Sequence, residues 1–174
     1  MTETITKYRW FWVWDFEKEE RWLNEMAASG WTLSDVGYCV YTFERTEDSE
    51  YTVRLEMHPY DDNYIQFMED TGAEYVGRVL QWIYFRKKSE LGRFDIFSDI
   101  DSKLAHLNRI YKTILAIGMM NLIIGVMNSL VGVYYSGNSL IGMFNLLVTA
   151  LVMYGVGRIQ GKIEYLEKER KLRE

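Results

Sequence analysis

Thr113 to Gly157 form a run of 45 residues with no Lys, Arg, Asp, Glu or His. A membrane-spanning helix needs about 20 apolar residues, so the run is too long for one span and fits two joined by a tight turn. The predicted spans are residues 113–135 and 140–157, with an outside turn at 136–139 built on Ser136-Gly137-Asn138. A buried helix pair in a water-soluble protein would show a polar face over this length, and the run shows none. Along the first span Gly118, Asn121, Gly125, Asn128 and Gly132 recur at alternating steps of three and four, a heptad-type seam. The second span answers with Gly142, Asn145 and Thr149, then with Ala150, Tyr154, Gly157 and Gly161. Gly lets backbones approach closely and Asn in lipid seeks a partner across an interface. The plain reading of the seam is therefore helix packing, within the hairpin and between copies. The sharper one is that Asn121, Asn128 or Asn145 lines a water-filled path in a ring of subunits.

Ahead of this run the pattern changes. Tyr8 to Trp14 alternates as a strand; a helix follows and ends at Ser29-Gly30; Tyr38 to Arg45 reads as a second strand. Thr46-Glu47-Asp48-Ser49 is a polar hairpin loop, and Tyr51 to Met57 a third strand. A second helix ends at Thr71-Gly72, and Val79 to Arg86 is the fourth strand. The order recurs: Leu23, Met26 and Gly30 in the first half match Ile65, Met68 and Gly72 in the second. Asp15 is the expected cap of the first helix, with Glu17, Glu19 and Glu20 complementing its dipole; Pro59 with Asp61 or Asp62 opens the second. The expected fold class is α+β: a ferredoxin-like βαββαβ domain over residues 1–90, four antiparallel strands with both helices on one face. An all-α transmembrane hairpin and a short C-terminal helix follow.

Between domain and hairpin, residues 91–112 form a juxtamembrane segment in which Ser98 or Asp99 caps a helix bearing Ile100, Leu104 and Leu107 on one side. This helix is expected to lie at the interface or to run directly into the first span. Residues 158–174 alternate in sign around a stripe of Ile159, Ile163 and Leu166, a cytosolic helix suited to bundling with neighbours.

Charge sharpens the division. Residues 1–109 carry 13 Lys/Arg and 21 Asp/Glu, and residues 158–174 carry six basic against four acidic side chains. Arg109 and Lys112 precede the apolar run and Arg158 and Lys162 follow it, while the turn is uncharged; positive flanks stay cytoplasmic. Both termini are therefore expected inside. The N-terminus lacks the basic region and apolar stretch of a signal peptide. Membrane lipid is the first expected partner.

The open side of the predicted sheet is aromatic. Tyr8, Trp10, Trp12 and Trp14 share one side of the first strand, and Leu80, Trp82 and Tyr84 one side of the last. Water does not leave such a face bare, so a second copy, the membrane-proximal helix, a protein partner or an apolar ligand should cover it. Aromatic sheets also serve RNA recognition, but that needs a basic footprint. The acidic balance of the domain excludes nucleic acid.

Several stretches resemble a known family: Phe16-Glu17-Lys18-Glu19-Glu20 through Trp22-Leu23-Asn24, the Gly30-Trp31 step, Tyr41-Thr42-Phe43-Glu44, Trp82-Ile83-Tyr84-Phe85-Arg86-Lys87 and Ile96-Phe97-Ser98-Asp99. Over roughly residues 5–110 the chain is similar to the bacterial "domain of unknown function 2812" family, with Gly72-Ala73-Glu74 standing where Gly-Trp-Glu is expected. The resemblance implies a bacterial membrane protein of the kind often encoded beside PadR-type regulators. It transfers no site residues.

Chemistry is sparse. Cys39 is the only cysteine and His58 and His106 the only histidines, too few for an intrachain disulfide, a triad or a Cys-based zinc site. No P-loop, dinucleotide fingerprint or Gly-x-Ser-x-Gly occurs. Asp61-Asp62 and Asp99-x-Asp101 read as helix-start residues. No catalytic residue, metal or cofactor is expected. The sum is a non-enzymatic, homo-oligomeric membrane protein of sensory or regulatory character in the bacterial cytoplasmic membrane. The alternatives are a small Asn-lined channel and a tethered apolar-ligand binder.

Overall fold

A computed structural model describes residues 3–47, 50–134 and 139–173. The chain divides into residues 1–98 and residues 99–174, taken in turn.

The first unit comprises β1 (Thr4–Tyr8), α1 (Phe16–Ala28), β2 (Trp31–Gly37), β3 (Val40–Arg45), β4 (Tyr51–Met57), α2 (Asp62–Asp70), β5 (Ala73–Val79) and β6 (Trp82–Lys88). Short 3-10 turns lie at Val13–Asp15 and Ser89–Leu91. The strands form two antiparallel three-stranded sheets, β1-β3-β2 and β4-β6-β5. The strand–helix–strand–strand motif therefore occurs twice. Gly30 and Gly72, both at positive φ (75° and 86°), end the two helices in the left-handed conformation that only glycine takes without strain. Leu33 lies opposite Phe43 and Tyr75 opposite Phe85, and a bulge follows each, between Leu33 and Asp35 and between Tyr75 and Gly77.

The expected single ferredoxin-like sheet is thus replaced by two sheets and six strands. β2 and β5 escape the alternation test because the bulge puts two residues against one and shifts the inward face by one position. In β2, Thr32 and Leu33 are buried in succession, then Val36. The first strand is Thr4–Tyr8, not Tyr8–Trp14; the tryptophan run is a connection closed by the 3-10 turn. In the polar loop expected at Thr46–Ser49, Asp48 and Ser49 lie outside the described residues.

The helices do not share one face. α2 packs on the second sheet with Ile65 and Met68 against Ala73, Ile83, Phe85 and Phe94. α1 touches both sheets. Its Trp22 meets Tyr41 and Phe43 of β3 at ring distances of 5.0 and 5.6 Å, and its Phe16 meets Trp82 of β6 at 5.5 Å. Asp61 caps α2 by accepting from Asn63 N at 2.9 Å. Asp15 occupies the cap position of α1, but its side chain makes no capping bond to the helix backbone; the carboxylate lies 3.1 Å from Lys18 Nζ instead. β2 and β5 run side by side: a Cβ on Gly77 would stand 3.1 Å from Val36 Cγ1.

The second unit is a pair of antiparallel helices, α3 (Ile100–Tyr134) and α4 (Ser139–Arg173), 35 residues each and about 52 Å long at 1.5 Å per residue. α3 runs unbroken through Thr113 and α4 through Arg158, so the segments expected as juxtamembrane helix and first span form one helix, as do those expected as second span and tail. Asp101 and Arg170 form an ion pair at 3.0 Å across the charged end. Both helices are long and apolar enough to cross a membrane, and only 17% and 22% of their most apolar stretches are buried. The predicted turn residues Ser136, Gly137 and Asn138 lie outside the described residues.

Candidate functional site

Glu19 occupies the centre of the first unit. α1 buries Phe16, Glu19, Leu23 and Ala27 along one stripe, so helical spacing draws a carboxylate into a row otherwise apolar. Glu19 is 8% exposed. Tyr41 of β3 and Tyr84 of β6 both donate to its Oε1, at 2.8 and 2.6 Å. The carboxylate thus ties together a helix and one strand from each sheet. Burial pushes the Glu19 carboxyl above its usual range, against the opposing pull of the Tyr84 and Tyr41 bonds. Burial and the neighbouring carboxylate push both phenols up as well. Read from the sequence, Glu19 was a dipole residue in the first turn; the signal for burial was its place between Phe16 and Leu23.

Other polar groups join the halves around it. Asn24 of α1 donates from Nδ2 to Val53 O and accepts from Val53 N at Oδ1, both at 2.9 Å. Arg54 reaches Glu20 at 3.4 Å, and burial raises the Glu20 carboxyl despite Arg54 and a bond from Leu55 N. Arg86 of β6 donates to Glu74 at 2.7 Å, to Glu44 of the other sheet and to Leu33 O at 3.1 Å. Burial alone would lower the Arg86 guanidinium; the bonds to Glu44 and Glu74 outweigh it and hold it above its usual value.

The five aromatic residues singled out from the sequence do not form one face. Tyr84 and Trp82 are buried against Glu19 and Phe16 of α1. Trp14 is buried and stacks on Trp12 at 4.9 Å with ring planes 5° apart. Trp12 and Trp10 are 40% and 54% exposed. Trp10 meets Trp12 edge-on at 5.3 Å and Tyr38 of the β2–β3 turn at 6.0 Å.

In the helix pair the structure brings most of the small and amide residues together. Asn121 donates from Nδ2 to Asn145 O at 2.7 Å and to Thr149 Oγ1 at 2.9 Å; Thr149 Oγ1 in turn donates to Asn145 O at 2.9 Å. Gly118 faces Val152 and Met153, Gly125 faces Asn145 and Leu146, and Gly142 faces Ser129. Asn128 and Gly132 are half-buried. Ala150, Tyr154, Gly157 and Gly161 are exposed, and a Cβ on Gly157 or Gly161 would have nothing within 4 Å.

No cluster of three or more His, Cys, Asp or Glu placed to hold a metal occurs among the described residues. No curated protein and no solved structure matches the chain. The family model that does match covers residues 15–119, from the start of α1 into α3. The chain belongs to the family described as "Protein of unknown function (DUF2812)".

Proposed function

We propose that this is a non-enzymatic, homo-oligomeric membrane protein of a sensory or regulatory kind, carried in the bacterial cytoplasmic membrane with both termini inside. One observation carries the reading. The apolar stretches of α3 and α4 leave Ile117, Met120, Ile123, Leu140, Phe144 and Leu147 exposed, each by half or more, and water is a poor solvent for so much contiguous apolar surface. Lipid satisfies it, and the charge-free run fixes its extent. Lys112 and Arg158 at the edges of that run favour the cytoplasmic side.

The sensory part rests on continuity. α3 starts at Ile100, directly after the folded unit, and has no break as it enters the apolar run. An unbroken helix of this kind offers a route by which a change at its charged end would reach the apolar run. Oligomerisation is supported by the outward stripe of Ala150, Gly157 and Gly161, which permits close approach of another copy.

The test is topological. The chain should resist alkaline carbonate extraction from membranes. In a Cys39→Ser background, a cysteine introduced by Gly137→Cys should react with an impermeant maleimide from outside intact cells. Release by carbonate, or labelling of that cysteine only after lysis, overturns the proposal.

A further inference from the structure

The segment between β1 and α1 is longer than the fold requires. The second copy of the motif passes from β4 to α2 through residues 58–61; the first uses residues 9–15, three more, and carries the run Arg9-Trp10-Phe11-Trp12-Val13-Trp14. This connection is firmly built. Trp14 is buried and stacked on Trp12. Phe11 lies 5.6 Å from the Trp22 ring, and the Arg9 guanidinium sits over both rings at 5.0 and 4.9 Å. Backbone bonds pin the two ends, Arg9 N to Cys39 O at 3.1 Å and Asp15 N to Trp12 O at 2.8 Å. The platform presents Trp10 and Trp12 outward beside Tyr38, which is 65% exposed, with exposed Tyr8 next along the chain.

We propose that this aromatic knob docks the folded unit onto the interfacial layer of the phospholipid bilayer, through insertion of Trp10, Trp12 and Tyr38 among the headgroups. The inference rests on the membrane anchoring proposed above, which tethers the folded unit to a bilayer. Two features select lipid as the occupant. The exposed side chains are Trp and Tyr, whose rings pair an apolar body with a polar edge and collect at the membrane–water boundary. Exposed Lys7 and Arg9 flank them, which suits phosphate headgroups within a unit whose overall charge is negative.

All six tryptophans precede residue 83 and none lies in the apolar run. Tryptophan fluorescence of the full chain therefore reads the first unit alone. The test reconstitutes the full chain into phosphatidylcholine–phosphatidylglycerol vesicles with acyl chains brominated near the headgroup, against unbrominated controls. Bromine should quench the parent. The Trp10→Gln/Trp12→Gln variant should lose about half or more of that quenching. Tyr38→Ala, which keeps all six reporters, should weaken it too. Fluorescence indifferent to bromine in a chain that floats with the vesicles overturns the docking and leaves the anchoring intact; so does quenching that survives both variants. A disulfide-linked dimer through Tyr38→Cys in the Cys39→Ser background, with no quenching, assigns the knob to a second copy and also overturns it. A chain that fails to float overturns anchoring and docking together.

Discussion

Glu19 shows how one residue can hold two halves of a domain together and set a pH dependence. Its folded-state carboxyl is raised by burial above the usual glutamate value of 4.5, so across the interval between those two values the folded chain binds more protons than the unfolded one. Stability contributed by this group is complete below 4.5 and is lost as pH rises through the raised value. Glu19→Gln removes the titration while keeping an acceptor for the tyrosines. Relative to that variant, the parent should lose stability as pH rises from 4.5 upward and then level off. Thermal melts of the full chain in detergent, followed by tryptophan fluorescence, measure the difference, and a pH-independent gap refutes it. Tyr84→Phe removes one of the two donors to a buried carboxylate and should destabilise the same unit by about 1–3 kcal/mol. The sequence held the sign of this site, an acid at helical spacing among Phe16, Leu23 and Ala27. Its partners were out of reach, because Tyr41 and Tyr84 meet only once two sheets close on one helix.

At the scale of elements, α1 replaces a missing neighbour for β4. β4 is the outer strand of its sheet, and outer strands expose unpaired backbone groups that invite another chain. Asn24 pairs with both the N–H and the C=O of Val53, as a neighbouring strand would. Asn24→Ala should therefore cost about 1–3 kcal/mol for two lost bonds and speed amide exchange at Val53. Unchanged exchange there would show that the side chain is a bystander. The duplicated motif was visible in the sequence, since Leu23, Met26 and Gly30 recur as Ile65, Met68 and Gly72. Two of its strands were not, because a bulge in each breaks the period of two that strand recognition depends on. The tryptophan run misled for the opposite reason. It alternates, but its rings pack on one another and on Trp22 rather than along a ladder.

At the scale of the molecule, the charge-free run made the helix pair legible. The unbroken passage of each helix into its charged end was less so, because polar and apolar halves of one helix present different periodic patterns. Close approach sets the geometry of the pair. A Cβ on Gly142 would stand 2.3 Å from Ser129 Oγ, 2.8 Å from Ser129 N and 3.0 Å from its Cα. Gly142→Ala should therefore push α4 off α3 and weaken the bonds of Asn121 to Asn145 and Thr149. Ser129→Ala should not rescue it, since the backbone atoms remain in the way. On the outward side Gly157→Ala meets nothing and should leave the pair intact or firmer by up to about 1 kcal/mol, the helix preference for Ala over Gly. If Gly157 faces another copy, that change should instead alter only the oligomeric state. Unfolding in mixed detergent micelles with sodium dodecyl sulfate, paired with size measurement by light scattering, separates these outcomes. Equal effects of Gly142→Ala and Gly157→Ala on unfolding would mean that α3 and α4 do not meet along this seam.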